Sequence, residues 1–141
     1  MSEEDSFENS TKKLKKKIDI KKIKVEEMQT MDLWGHSVNL VNNKIFIIGG
    51  VGRNSYTNLI YKINPKNYEV SCIDMDDQNG PDLLAFHKTV CYGQKIIVYG
   101  GQNEYEVSNK YHTFNCTTQK WTSFKFKHNM HKREHFSAVL K

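Results

Sequence analysis

Lys44-Ile45-Phe46-Ile47-Ile48-Gly49-Gly50 and, 51 residues further on, Lys95-Ile96-Ile97-Val98-Tyr99-Gly100-Gly101 are two copies of one pattern: a lysine, a short apolar run and a pair of glycines. An apolar run of this length bounded by turn residues reads as a buried strand. The likeness extends outward without a gap from His36 to Trp121. His36 aligns with His87, Asn58 with Asn109, Asn64 with Asn115 and Val70 with Trp121. Self-similarity at a fixed period of this size marks an architecture of repeated supersecondary units.

Each unit reads as four short strands. In the first, strands are expected over 36–41, 44–48, 59–63 and 68–73. Asn42-Asn43 can take the positive φ that a two-residue hairpin turn requires. A loop is expected over 51–57, and Asn64-Pro65-Lys66-Asn67 is a turn in which the proline presets φ. The second unit repeats this over 86–91, 95–99, 110–114 and 120–126, with turns at 92–94 and 115–119 and a loop at 102–108. A third copy opens at Arg133-Glu134-His135-Phe136, with its inner strand over 136–140. Repeated four-stranded units predict an all-β chain of propeller blades. The expected division is a leader over 1–30 and repeats over 31–141, made of a first blade over 34–84, a second over 85–132 and an incomplete third over 133–141.

An apolar strand closed by Gly-Gly, a strand ending at an Asn turn, and a tryptophan seven positions after the last apolar residue (Phe114 to Trp121) together resemble kelch repeats. The first unit has Val70 where that family has tryptophan, and an arginine stands two residues before the histidine only at Arg133. The resemblance implies a partial kelch β-propeller: two four-stranded antiparallel blades plus the first strand of a third. His36, Gly49, Gly50, Asn64, His87, Gly100, Gly101, Asn115, Trp121 and His135 are then structural repeat positions. Trp121, with Tyr68 or Tyr111, is expected to fill the space between sheets. The implied role is a non-catalytic protein–protein interaction module, a scaffold or adaptor. The alternative is a regulatory propeller segment of a larger enzyme, such as a kelch phosphatase or a ubiquitin-ligase substrate adaptor. Propellers close with about four to eight blades, so the chain is expected to be a fragment of a longer propeller, the preferred reading, or to self-associate through open blade edges, or to be a marginally stable remnant.

Charge separates the start of the chain from the repeats. The formal net charge of the 141 residues is +5, but residues 1–11 carry −4, residues 12–24 carry +7 and the remaining chain only +2. The run from Lys12 to Lys24 has the charge to engage nucleic acid, anionic lipid or an import receptor. It has no aromatic residue on which a base would stack, and a solvated, self-repelling leader is the preferred reading. No apolar run approaches the roughly 20 residues that span a bilayer. The acidic start Met1-Ser2-Glu3-Glu4-Asp5 is not a secretory signal. Cys72, Cys91 and Cys116 are too scattered for a disulfide framework or a thiolate zinc site. Reduced thiols and a cytoplasmic or nuclear location are expected.

Candidate chemistry is sparse. His128, His131 and His135 have helical metal-ligand spacing, but they fall in a linker between blades and His135 is the expected repeat histidine. Neither glycine pair precedes a helix or a Gly-Lys-Ser/Thr, so neither cradles phosphate. No catalytic residue, metal or cofactor is expected. Asp74, Asp76, Asp77 and Asp82 make an acidic, solvated linker. In a four-stranded meander the connections after the second and fourth strands emerge at the same end, which groups 51–57, 74–85, 102–108 and 127–134. Recognition tends to live on such loops, and aromatic residues and arginine dominate interface energetics. Arg53, Tyr56, Tyr105 and Arg133 are therefore the candidate partner-binding residues.

Overall fold

The computed structural model describes residues 32–73, 79–82, 84–124, 131–134 and 136–139. The leader with Lys12 to Lys24, and Asp74, Asp76, Asp77, His128, His135 and Leu140, lie outside the described residues.

Among the described residues the fold consists of two four-stranded antiparallel meanders. The first consists of β1 (Ser37–Val41), β2 (Lys44–Val51), β3 (Tyr56–Ile63) and β4 (Val70–Ile73). The second consists of β5 (Lys88–Tyr92), β6 (Lys95–Tyr99), β7 (Tyr111–Asn115) and β8 (Lys120–Phe124). The ladders of the two sheets are in the same register. Ser37 pairs with Ile48 and Lys88 with Tyr99, Ile47 with Tyr61 and Val98 with His112, Ile63 with Val70 and Phe114 with Trp121. Each pair of the second sheet is its counterpart in the first moved by 51 residues, the period of the sequence repeat.

The hairpin turns follow from local chemistry. Asn42 and Asn43 both adopt positive φ, 50° and 56°, the pattern of a type I′ turn that matches strand twist. In the second sheet Gly93 alone of its two turn residues has positive φ, the pattern of type II′.

The expected loop at 51–57 is shorter in the structure. A bulge between Ile48 and Gly50 lets the ladder resume, so that Gly50 pairs with Thr57 and Val51 with Tyr56. The register step leaves two residues of β3, Asn58 and Leu59, opposite Gly49 alone on β2, and Gly49 and Gly50 turn the β2 backbone there with φ of 62° and 115°, which side-chain-bearing residues rarely adopt. Strand β4 begins at Val70 rather than at 68, because Tyr68 sits at positive φ in the turn. Tyr68 is exposed there and does not fill the space between sheets.

The sheets stack through one face of each. Residues paired across a ladder share a face, which puts Val41, Phe46, Ile48 and Ile60 on the side of the first sheet that meets the second. Ile96, Val98, Phe114 and Trp121 form the opposing side, and all eight belong to one buried cluster. Phe46 meets Phe114 edge-on at 6.1 Å, and Trp121 tilts against Phe114 at 5.1 Å. Each such apolar side chain, fully removed from water, contributes about 1.5–3 kcal/mol before the cost of ordering the chain. Because the second sheet is a copy of the first, the two contribute opposite faces, as consecutive propeller blades do.

The connection between blades is held by the glycine pairs. The Gly50 N–H donates to the Leu84 carbonyl at 2.8 Å, and the Gly101 N–H to the Arg133 carbonyl at 2.8 Å. A Cβ on Gly49 would lie 2.4 Å from the Leu84 oxygen, and one on Gly100 would lie 2.4 Å from the Arg133 oxygen. Arg133 therefore stands where Leu84 stands, a shift of 49 residues, so the second connection is two residues shorter than the first. In that register Phe136, rather than the expected His135, occupies the seat over Gly100 that His87 occupies over Gly49. Phe136 also lies edge-on to Tyr99 at 5.3 Å. Residues 136–139 form no strand, because a ladder needs a second strand to supply hydrogen-bonding partners.

Candidate interaction surface

The connections after the second and fourth strand of each blade meet at one end of the sheet pair, knitted by main-chain hydrogen bonds. The Leu84 N–H donates to the Thr57 carbonyl at 3.3 Å, and the Arg133 N–H to the Ser108 carbonyl at 3.2 Å. Ala85 and Gln102 exchange both of their bonds, at 2.9 and 2.8 Å. A loop whose backbone groups are satisfied in this way is ordered at its base while its tip faces water.

The four sequence-derived candidates have different settings at this end. Arg53 pairs with Asp32 at 2.8 Å, with both side chains largely exposed. Tyr56 opens β3, and its hydroxyl accepts a hydrogen bond from Gln102 Nε2 at 3.3 Å, joining the two blades. Tyr105 stands at the tip of the second loop, 89% exposed. Asn103 Oδ1 accepts from the Tyr105 and Glu106 N–H groups, each at 2.9 Å, and so builds the turn that presents the ring. Arg133 is anchored by both of its main-chain groups and leaves its side chain exposed.

Between these loops lies a polar recess of about 20 Å³, room for one water molecule. Pro81, Asp82, Asn103, Glu106, Lys110 and His112 line it. Lys110 reaches Asp82 at 3.7 Å and Lys132 reaches Glu106 at 3.5 Å. His112 Nδ1 is 3.2 Å from the Asn79 carbonyl. A carbonyl only accepts, so the proton sits on Nδ1. Burial lowers the His112 pKa, and the Asn79 carbonyl opposes that effect. Sequence reasoning missed this grouping. The rule that brings the loops to one end also brings the adjoining ends of β7 there, but reading for aromatics and arginine passed over Lys110 and His112.

The seam between blades is chemically quiet. His87 is 2% exposed, and its Nε2 lies 2.9 Å from Ser37 Oγ across the seam. Its Nδ1 is buried and has no hydrogen-bond partner among the described residues. Burial pushes the His87 pKa down to about 4, assisted by Lys88 and His36, so the ring is neutral near pH 7. Burial pushes the Cys116 thiol up to about 11, with Cys91 adding to the rise. Cys91, also raised by burial, donates to Asn39 Oδ1 at 3.6 Å. Both thiols are protonated at neutral pH and weakly nucleophilic. No group of three or more His, Cys, Asp or Glu suited to a metal occurs among the described residues. Among them, no helix is long and apolar enough to cross a membrane.

Successive four-stranded meanders stacked face to face in chain order define the class: these are blades of a β-propeller. The chain belongs to the kelch-repeat family, matching the KLHDC2/KLHL20/DRC7 Kelch-repeats domain over residues 5–141. The matched span takes in residues 5–30 of the charged leader as well as the repeats. No individual curated protein matches the chain. Kelch-repeat domains are in general protein-interaction modules and are typically non-catalytic.

Proposed function

We propose that this chain is a non-catalytic scaffold or adaptor that binds a protein partner with the loop end of its blades, through Arg53, Tyr56, Tyr105 and Arg133. The observation that carries this reading is the setting of Tyr105. A large aromatic ring is held almost fully in water by a turn whose backbone is satisfied, on loops fastened to a two-sheet core. Such a residue costs little further ordering on binding, and tyrosine and arginine are the usual anchors of interface energy. The flanking pairs Lys110–Asp82 and Lys132–Glu106 supply the polar rim that surrounds anchors of this kind.

The test compares the full chain with a variant carrying alanine at all four positions. Proteins captured from a lysate by each are quantified, and circular dichroism verifies the fold. A partner that is enriched on the natural chain and lost from the variant supports the reading. Equal capture by two equally folded proteins overturns it.

A further inference from the structure

We propose that a groove at the turn end of the first blade binds a phosphate group, held between Lys44 and Lys62. Its position follows from the ladders. Lys44 pairs with Val41, Lys62 with Phe46 and Ser71 with Lys62. Residues paired across a ladder share a face, so all three stand on the side of the first sheet that meets the second blade. Lys44 and Lys62 are diagonal neighbours on adjacent strands, a separation that long side chains bridge. Asn64 and Glu69 complete the lining, and the groove offers about 160 Å³, where one water molecule needs roughly 10–15 Å³.

The positive charge in this groove is unmatched. Both lysines are half-buried, and neither belongs to the ion pairs formed among the described residues, which are Arg53–Asp32, Lys110–Asp82 and Lys132–Glu106. Glu69, the acid of the groove, is exposed and tied to its own turn, its Oε2 accepting from Asn67 Nδ2 at 3.2 Å. The blade pattern does not demand a lysine at 62. Its counterpart 51 residues on is Thr113, which is 9% exposed. Lys62 acts on the Cys116 thiol of the second blade, opposing the effect of burial there, which puts its charge at the seam between blades.

A half-buried ammonium group has given up part of its hydration, and an anion with several acceptor oxygens restores what was lost. The donors present suit phosphate. Two ammonium groups meet its charge, and the Ser71 hydroxyl adds a neutral donor. Asn64 Oδ1 already accepts from the Lys66 N–H at 3.2 Å, which leaves the Nδ2 of that side chain to donate into the groove. A phosphate monoester presents three acceptor oxygens and nearly two negative charges, so it engages this set more fully than a carboxylate does. The shared chemistry is the phosphate group itself, carried by a free phosphate compound or by a phosphorylated side chain.

The test titrates the full 141-residue chain with inorganic phosphate at constant ionic strength, followed by isothermal calorimetry. One saturable site is expected. Lys62→Thr, which takes the residue type the repeat carries at Thr113, and Lys44→Ala are each expected to weaken binding about tenfold. Glu69→Gln removes the opposing charge and is expected to tighten it about threefold. Circular dichroism verifies the fold, and Lys62→Gln replaces Lys62→Thr should that variant fail to fold. A short phosphoserine peptide distinguishes the sources: tighter binding than inorganic phosphate assigns the site to a phosphorylated protein segment, and equal or weaker binding assigns it to free phosphate compounds. Absence of saturable phosphate binding overturns the proposal. So does binding that the lysine variants leave unchanged, which would put the ion on the run from Lys12 to Lys24, or binding that Glu69→Gln fails to tighten. The groove shares no residue with Arg53, Tyr56, Tyr105 and Arg133 at the other end of the blades, so this result and the partner-capture result fail independently.

Discussion

Acid should open the seam between the blades through one residue, His87. An imidazole in the unfolded chain titrates near 6.5, whereas burial between the sheets lowers His87 in the folded chain to about 4. Between those values the unfolded state holds more protons than the native state, so stability rises with pH across the window. The His87 contribution is complete above about pH 6.5 and is lost as pH falls towards 4. At about 1.4 kcal/mol per unit, the loss over the whole window is about 3 kcal/mol, a large part of the 5–15 kcal/mol typical of a domain. The assay is urea unfolding at pH 7, 6, 5 and 4, followed by the fluorescence of Trp121, which is 3% exposed. The reference is His87→Phe, chosen because Phe136 already fills the equivalent seat over Gly100. His112, whose pKa burial also lowers, is present in both proteins and contributes to both profiles. The natural chain is expected to lose about 3 kcal/mol more than the variant between pH 7 and 4. Parallel pH profiles would refute the reasoning, since they would mean that His87 is protonated in the folded state without penalty.

Three further outcomes are expected. Gly49→Ala meets the Leu84 carbonyl at 2.4 Å with φ already positive, whereas a Cβ on Gly93 meets nothing within 4 Å. Thermal unfolding should show a loss of roughly 2–5 kcal/mol for the first and only the backbone cost of about 1–2 kcal/mol for Gly93→Ala. Trp121→Ala removes the ring packed on Phe114 and His112 and should cost about 3–5 kcal/mol in denaturant titration. Lys110→Ala breaks an exposed pair with Asp82 and should change stability by less than about 1 kcal/mol, measured by the same titration.

Much of the fold was legible because its rules are local. The turn at Asn42-Asn43 needs two residues that tolerate positive φ, and the sequence places them between two apolar runs. The glycine pairs mark the place where the next segment crosses close to the backbone. The 51-residue register carried over to every ladder because strand pairing within a meander is set by turn length, and the turns of the two units are equally long. The misreadings came where length differed. The connection into the third unit is two residues shorter, so Phe136 rather than the expected histidine reaches the seat over Gly100. The first loop closed into a ladder past Gly50, because Thr57 and Tyr56 were within reach of a strand that continued.

The sequence by itself determined the repeated blade, its turns, the face of each strand that is apolar, and the end at which the long connections gather. All of these follow from alternation, glycine and asparagine conformations, and chain direction. Only the tertiary structure decided which ionisable groups meet. Asp82 with Lys110, Glu106 with Lys132, and His112 with Asn79 join segments roughly 26 to 33 residues apart, and no periodicity encodes side-chain reach across a seam. Stacking also made a histidine that reads as one more repeat position into a neutral, half-satisfied group between two sheets. Its pKa depends on what is packed around it, and that is fixed only when the blades close on one another.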